Sequence, residues 1–180
     1  MSHSPPSLAG MLLVSHPHLR DKHFCATVLL MHNHDTAGAL GVVVNRPYGR
    51  SLGQLQPDFA STSLSGVPLF EGGPVSTDRL AFGGWCFTTA GQVEVRFGMG
   101  QEEAIELAKD SRFLIQAYIG YAGWSAGQLE HELRMNAWVV CPFTPEFADF
   151  EGEQLWKKLL EHHRPDLRLE ADSPEDKGLN

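Results

Sequence analysis

The chain has 180 residues, a size that suits one domain and that can bury about 70% of its unfolded surface without a metal or a disulfide. Its content of 42% hydrophobic and 20% charged residues is that of an ordinary globular protein. The formal net charge of −8 argues against a large nucleic-acid interface, because phosphate binding needs clustered lysine and arginine side chains.

Cysteine usage and hydropathy indicate the compartment. Cys25, Cys86 and Cys141 are far apart and form no CxxC pair, a pattern that favours buried, reduced thiols. The longest apolar run near the N-terminus, residues 11–14, is too short for a signal-peptide core, and no stretch approaches the roughly 18 apolar residues of a membrane span. These features predict a cytoplasmic protein.

The first half of the chain reads mainly as strands. Residues 1–10 are rich in Ser, Pro and Gly and predict a flexible N-terminal arm. Apolar runs at 11–15, 24–32 and 39–45 predict strands, the last two joined as a hairpin by the polar turn at 33–36. Ser51 and Gln54 match a capping box and predict a short helix, and the small polar residues 58–65 predict a mobile loop.

The second half adds helices. Strands are predicted at 67–71, 80–87, 93–97, 113–124 and 137–141, and helical spacing of apolar residues predicts helices at 101–109 and 153–163. The residues from 165 onward are charged and predict a frayed tail. We therefore predict an arm (1–10), one domain (11–164) and a tail (165–180). Because strands come in neighbouring runs, the domain is predicted to be α+β, with a mixed or mostly antiparallel sheet and a few peripheral helices.

Four motifs in register identify a family resemblance. They are residues 41–47 (GVVVNRP), 71–75 (EGGPV), 120–124 (GYAGW) and 127–133 (GQLEHEL), followed by Trp138. In order and spacing these motifs resemble the YqgE/AlgH family of bacterial proteins, from about Met11 to about Phe143.

The resemblance implies a single α+β domain with a coiled, bifurcated sheet and no established chemistry. Some members are described as transcriptional regulators, a description that comes without a mechanism. The chain departs from the family after residue 75, where a strand ending near a Leu-His pair is expected and residues 80–85 read LAFGGW. No role for that histidine carries over.

Residues 123–127 satisfy the G-x-S-x-G pattern at a predicted strand–turn–helix, the context that exposes a nucleophilic serine in hydrolases. Ser125 also has a structural interpretation as a helix cap, with Gln128 completing a capping box. A triad would need a downstream histidine, and His131 lies on the same helix, pointing away from the serine. The resemblance implies that family members often carry glycine here. We predict no catalytic residue, with a serine hydrolase acting through Ser125 as the alternative.

Histidines concentrate early in the chain. His16 with His18, and His32 with His34, form H-x-H pairs that can share one face of a strand and bind zinc or copper, and Cys25 lies near them. Both pairs fall at predicted strand ends or turns, where solvated histidines are commoner. The glycine-rich loops show neither GxGxxG nor a P-loop lysine. We therefore predict no metal and no cofactor.

Function is predicted to lie at turns, where binding residues concentrate. The predicted binding surface combines Asn45, Arg46 and Pro47; Gly72, Gly73 and Pro74; and Tyr121, Trp124, Gln128 and Glu130 at the strand-to-helix corner. Arg46 can meet a carboxylate or phosphate. The favoured alternative pairs Arg46 with Glu71 or Glu130 inside the fold, and places the aromatic rings in the core.

The leading hypothesis is a non-enzymatic binding or regulatory protein whose partner is an unknown protein or small ligand. Direct DNA binding is the weakest hypothesis, because the chain has no helix-turn-helix with basic recognition residues.

Overall fold

The computed structural model of the chain describes residues 6–172. Within that range the fold is a single α+β domain, and this class was predicted; it has nine strands in one curled sheet and five α-helices. The strands are β1 (Met11–Ser15), β2 (Val28–Asp35), β3 (Gly38–Val43), β4 (Pro47–Ser51), β5 (Pro68–Glu71), β6 (Val75–Phe87), β7 (Val93–Met99), β8 (Leu114–Ser125) and β9 (Trp138–Pro142).

The helices are short except for one. They are α1 (Leu52–Leu55), α2 (Gln101–Leu107), α3 (Gln128–Arg134), α4 (Gly152–His163) and α5 (Arg168–Asp172), with single 3-10 turns at Pro57–Phe59, Pro145–Phe147 and Pro165–Leu167. The capping box predicted at the start of α1 is confirmed, because Gln54 accepts a hydrogen bond from the Ser51 amide at 3.0 Å. None of the described helices is both long enough and apolar enough to cross a membrane.

Strand β8 organises the sheet. The main path runs β4-β5-β8-β3-β2-β1-β9, and β8 also pairs with β6, which in turn pairs with β7. Every pair is antiparallel except β5 with β8. The mixed, mostly antiparallel sheet was therefore predicted correctly. Because β8 pairs with three strands, β3, β5 and β6, the sheet branches at β8.

The central strands are covered on both faces. Leu12 and Val14 pack with α4 in one cluster, whereas Leu13 packs with the aromatic side chains near α3 in another. Because neighbouring residues of β1 face different clusters, the strand reads as a continuous apolar run instead of an alternating one. A third cluster lies under α1 and α2, between these helices and β5, β6 and β8.

Several predicted boundaries were wrong. β2 begins at Val28, because the amides of Phe24 and Cys25 turn back onto the Asp21 carbonyl, and it continues through the predicted turn to Asp35. The predicted loop at 58–65 is packed, with Phe59 and Leu64 buried. Strand β4, which lies at one end of the main path and is largely exposed, was not predicted.

Both predicted terminal segments contribute to the packed domain where the structure describes them. Leu8 packs beside the α3 cluster, and its amide donates to His34 Nδ1 at 3.1 Å. At the other end, Leu167 is only 5% exposed and belongs to the α4 cluster, so the packed chain extends past the predicted boundary at 164. The remainder of the arm and tail, 1–5 and 173–180, lies outside the described residues.

Candidate functional site

Asn45 fastens the first predicted turn to the rest of the fold. Its side chain is 4% exposed, and its Oδ1 accepts from the Val28 amide at 2.8 Å. Its Nδ2 donates to the carbonyls of Ala26 at 2.9 Å and Gly152 at 3.1 Å. The amide group thus joins the start of β2 to the start of α4, and its polar atoms are used inside the fold.

Arg46 lies beside Asn45 and is only partly available to a ligand. Its Nη2 donates to Thr27 Oγ1 at 2.7 Å and to the Cys25 carbonyl at 3.2 Å. Its Nη1 lies 3.9 Å from a Glu71 carboxylate oxygen, and 25% of the side chain is exposed. The predicted pairing with Glu71 is confirmed as a loose contact. Pairing with Glu130 was wrong, since that carboxylate binds His34.

The Gly72-Gly73-Pro74 turn packs against β8. Gly72 and Gly73 are buried, and a Cβ added to Gly72 would lie 2.2 Å from the Gly120 carbonyl oxygen. The Gly72 amide donates to the Ile119 carbonyl at 2.8 Å. These glycines therefore serve the close approach of two backbones, and of the three residues only Pro74 is exposed.

Ser125 was predicted to cap α3, but it does not. The helix begins at Gln128, one residue after Gly127, whose φ of 75° is the left-handed conformation that glycine adopts freely. Gln128 Oε1 instead accepts from the Ser125 amide at 3.1 Å and from its hydroxyl at 3.3 Å. The hydroxyl group of Ser125 is thus bonded to a side-chain amide, not to an imidazole.

Glu132 holds two buried tryptophans at this corner. Its Oε2 accepts from the indole nitrogens of Trp124 at 2.9 Å and Trp138 at 2.8 Å, and its Oε1 accepts from Gln128 at 3.1 Å. Both rings are nearly buried, at 7% and 5% exposure. The sequence placed Glu132 at this corner but indicated no partner for it. The available signal was that a buried indole N–H requires an acceptor, but only the fold shows which carboxylate supplies it.

Glu130, two residues before Glu132 in α3, binds His34. The His34 Nε2 lies 2.9 Å from Glu130 Oε1, and its Nδ1 accepts from the Leu8 amide, so Nε2 carries the proton. Hydrogen bonds from its own backbone amide and then from His34 lower the pKa of Glu130. The pair joins α3, β2 and the described part of the arm.

The predicted surface falls into two separate regions. The Arg46 carbonyl accepts from the Glu71 amide at 3.0 Å, so the first two turns are adjacent. The corner lies at the opposite end of β3, where Gly38 pairs with Ser125. Asn45 is seven residues beyond Gly38, or roughly 20 Å at the rise of a strand. Tyr121 is half-buried between the two regions.

An apolar cleft adjoins the Asn45 turn. It lies between the sheet and the segment that leads into α4, and it contains about 410 Å³ of space including its open mouth. The centre of a water molecule can move through about 50 Å³ of this space. Apolar side chains dominate the lining, and its polar members are Gln116 and Glu151; the lining residues are Leu12, Val44, Phe70, Trp85, Gln116, Phe143, Phe147, Ala148, Phe150, Glu151 and Leu155.

The cleft is lined by a tryptophan, Trp85, whose indole nitrogen has no partner in the described chain. The residue is 4% exposed, and its ring packs edge-on against Phe143 with centroids 5.3 Å apart. Its indole Nε1 is buried without a hydrogen-bond partner within residues 6–172. The indoles of Trp124, Trp138 and Trp156 all donate to oxygen atoms. A buried unpaired donor costs free energy, and a ligand with an acceptor recovers that cost once the side chains that cover Nε1 move aside.

The early histidines do not gather into one cluster. His34 binds Glu130, and His32 stacks on Phe97 with ring centroids 4.9 Å apart. Burial lowers the pKa of His32 to about 4, and neither of its ring nitrogens has a hydrogen-bond partner in the described chain. Among the described residues, the pair His16 and His18 is the one that forms a group of three donors, with Glu170.

Comparison with known proteins places this arrangement in a family. A UPF0301 protein of Streptomyces coelicolor is 36% identical over 189 residues, covering 97% of this chain and 96% of its own length. A UPF0301 protein of Pseudomonas putida strain GB-1 is 37% identical over 164 residues, covering 79% of this chain and 81% of its own.

Two solved structures share the fold. The solution structure of the AlgH protein from Pseudomonas aeruginosa aligns with a TM-score of 0.63 and 32% identity, covering 89% of this chain and 90% of that one. A crystal structure of a Corynebacterium diphtheriae protein aligns with a TM-score of 0.70 and covers 95% and 94% of the two chains; at 21% identity it supports the fold alone. The sequence pattern described as DUF179, AlgH-like, matches residues 12–168, and the chain therefore belongs to the AlgH-like family of uncharacterised proteins.

Proposed function

We propose that this protein is a non-enzymatic binding protein that takes a small, mostly apolar ligand into the cleft beside the Asn45 turn. The observation that carries the proposal is the unpartnered indole N–H of Trp85, a buried residue of a mostly apolar lining. Ligand sites usually combine an apolar wall with a few fixed polar groups. The ligand is expected to offer a carbonyl or similar acceptor to this donor.

The size of the cleft limits the ligand. The space open to the centre of a water molecule, about 50 Å³, is well below the usual volume of small-molecule sites, so a ligand of more than a few atoms must extend into the open mouth. A single ring or short branched chain fits this space better than a nucleotide or a folded partner. Gln116 lines the same cleft, but its Oε1 already accepts from the Tyr118 hydroxyl at 2.6 Å, so its amide nitrogen is the group left for a ligand.

The turn motifs support the cleft instead of forming the surface themselves. Asn45 binds the Gly152 carbonyl at the start of α4, and Glu151 lines both the cleft and a second depression that includes Pro47. Asn45, Arg46 and Pro47 thus retain a place in the proposed site as its frame. The Gly72 turn and the Trp124 corner are assigned to folding.

Two other functions have less support. For a serine hydrolase, the Ser125 hydroxyl should contact an imidazole, and its partner is Gln128. For a DNA-binding regulator, basic side chains should cluster, but Arg96, Lys109 and Arg112 each pair with nearby carboxylates. We also propose a cytoplasmic location, which suits the free thiols of the described cysteines.

The proposal is tested by titrating the ¹⁵N-labelled protein with small aromatic amides such as benzamide and acetanilide. The indole N–H signal of Trp85 is expected to move downfield as it gains an acceptor, while the signals of Trp124, Trp138 and Trp156 stay in place. Trp85→Phe removes the donor but keeps an aromatic ring, and should weaken binding about tenfold, the effect of one buried hydrogen bond.

Tyr121→Phe is the matched control, because it also removes one polar group from an aromatic side chain but lies outside the cleft. It should bind like the wild type. If no amide moves the Trp85 signal at millimolar concentration, or if Trp85→Phe binds equally well, the cleft is not the ligand site.

A further inference from the structure

Three potential metal ligands meet where the loop after β1 touches the last described helix. His16 and His18 belong to the loop and Glu170 to α5. One ring nitrogen from each histidine and one carboxylate oxygen all lie within 4.8 Å of one another. His18 Nε2 is already 3.1 Å from Glu170 Oε2. The fold thus assembles a donor set from opposite ends of the chain.

Two imidazoles and one carboxylate suit a divalent transition-metal ion. This set occurs at sites of zinc and of non-haem iron, in which water or substrate completes the coordination. Tetrahedral zinc with bonds of about 2.1 Å holds its ligand atoms about 3.4 Å apart. The side chains of His18 and Glu170 are 69% and 41% exposed, so they can rotate to close the remaining gap.

The surroundings preorganise the site and leave it open. The His18 amide donates to His16 Nδ1 at 3.2 Å, which orients the first ring, and solvent can replace this exposed bond when the ring binds a metal. An open groove beside the histidines leaves room for further ligands; the centre of a water molecule can move through about 490 Å³ of it. Arg164, whose charge acts on His16, is itself paired with Asp166 at 2.7 Å.

We infer that His16, His18 and Glu170 form a binding site for a divalent transition-metal ion, with zinc the best fit. Bound there, the ion joins the loop after β1 to α5. It therefore fastens α5 to the body of the domain, as a clip that closes a long loop.

Isothermal titration calorimetry of the tag-free, full-length chain with zinc chloride at pH 7.5 tests the site. We expect one ion per chain, and His18→Ala and Glu170→Gln should each weaken binding at least about tenfold. The matched controls are His23→Ala, an exposed histidine of the same loop, and Glu153→Gln, an exposed acid of α4. Both controls should bind zinc like the wild type.

Hydrogen exchange gives a second readout that separates this site from adventitious zinc binding. Zinc should slow amide exchange across residues 168–172 in the wild type and in both controls, but not in His18→Ala. The inference is overturned if the wild type binds no zinc, if His18→Ala and Glu170→Gln bind it unchanged, or if exchange in α5 does not respond.

Discussion

Several polar side chains within residues 6–172 are paired with groups far away in sequence. Asn45 reaches Gly152, His34 reaches Glu130, and the Trp156 indole donates to the Ser15 carbonyl at 2.9 Å. Such bonds join strands to helices, and each would leave a buried group unpaired if its partner were removed. His32 is an exception, because burial leaves both of its nitrogens without partners in the described chain.

His32 should therefore make the protein less stable in acid. Its pKa in the folded state, about 4, is below the value of 6.5 expected when unfolded, so the unfolded chain takes up the proton first. The free energy of unfolding should fall by about 3 kcal/mol as pH decreases from 6.5 to 4, with no further loss from this group below pH 4. His32→Phe, which keeps a ring against Phe97, should remove that loss, as measured by urea denaturation at several pH values.

The same substitution at His23, which is exposed, provides the control for His32. His23→Phe should retain the wild-type acid sensitivity. Equal pH dependence in the wild type and His32→Phe would contradict a buried, neutral His32.

Secondary-structure elements follow local patterns except where packing extends or shortens them. The helix predicted at 153–163 is observed as Gly152–His163, because Leu155, Trp156, Leu159 and Leu160 form one buried stripe. In contrast, the residues after Pro165 are charged enough to predict a frayed tail, and Leu167 and Ala171 anchor them to the α4 core. Two apolar contacts among charged residues give too weak a pattern for a sequence-based prediction.

Leu167 should contribute measurably to stability although it lies in the predicted tail. It is 5% exposed among the α4 core residues, so Leu167→Ala should lower the free energy of unfolding by about 2 kcal/mol, near the low end for a buried leucine. Leu169, two residues on, is 81% exposed, and Leu169→Ala should change stability by less than about 0.5 kcal/mol. Urea denaturation of both variants checks the difference; equal effects would mean that the Pro165–Leu167 turn does not pack on α4 as described.

The whole molecule depends on the point where β8 changes partners. Residues 117–119 of β8 pair with β5, and residues 122–125 pair with β3. Between them, Gly72 donates to the Ile119 carbonyl and accepts from the Val43 amide at 2.9 Å, so it links β8 to the end of β3. Gly120 faces this turn with a φ of 77°. The sheet can divide here because glycines let the backbones approach closely.

Gly120→Ala should therefore damage the fold more than other glycine substitutions in β8. The added Cβ would lie 2.2 Å from the Gly73 carbonyl oxygen, in a backbone conformation that alanine adopts only under strain. We expect a loss of more than about 3 kcal/mol in the free energy of unfolding, or failure to fold.

Gly123→Ala, three residues along the same strand, is the control. Its nearest contact beyond adjacent residues would be a Tyr121 ring carbon at 3.4 Å, an ordinary van der Waals distance. Thermal unfolding should show this variant within about 1 kcal/mol of the wild type. Similar losses in both variants would rule out close packing at Gly120 as the cause.

The sequence by itself determined the fold class, most strands, helices α2, α3 and α4, and the family. It could do so because apolar runs, helical spacing and glycine-rich turns are local signals. It also singled out Asn45, Arg46 and Ser125, and it correctly paired Arg46 with Glu71 and Ser125 with Gln128. The contacts of Asn45 with Gly152 and of Arg46 with Thr27 became known only from the structure.

Only the tertiary structure decided the candidate sites. Trp85 and Glu151 come from distant segments that the sheet and α4 bring to one cleft, and His16 and Glu170 meet only because α5 folds back over the loop after β1. No local pattern encodes such meetings, since they follow from the packing of apolar faces and not from the spacing of the residues that end up side by side.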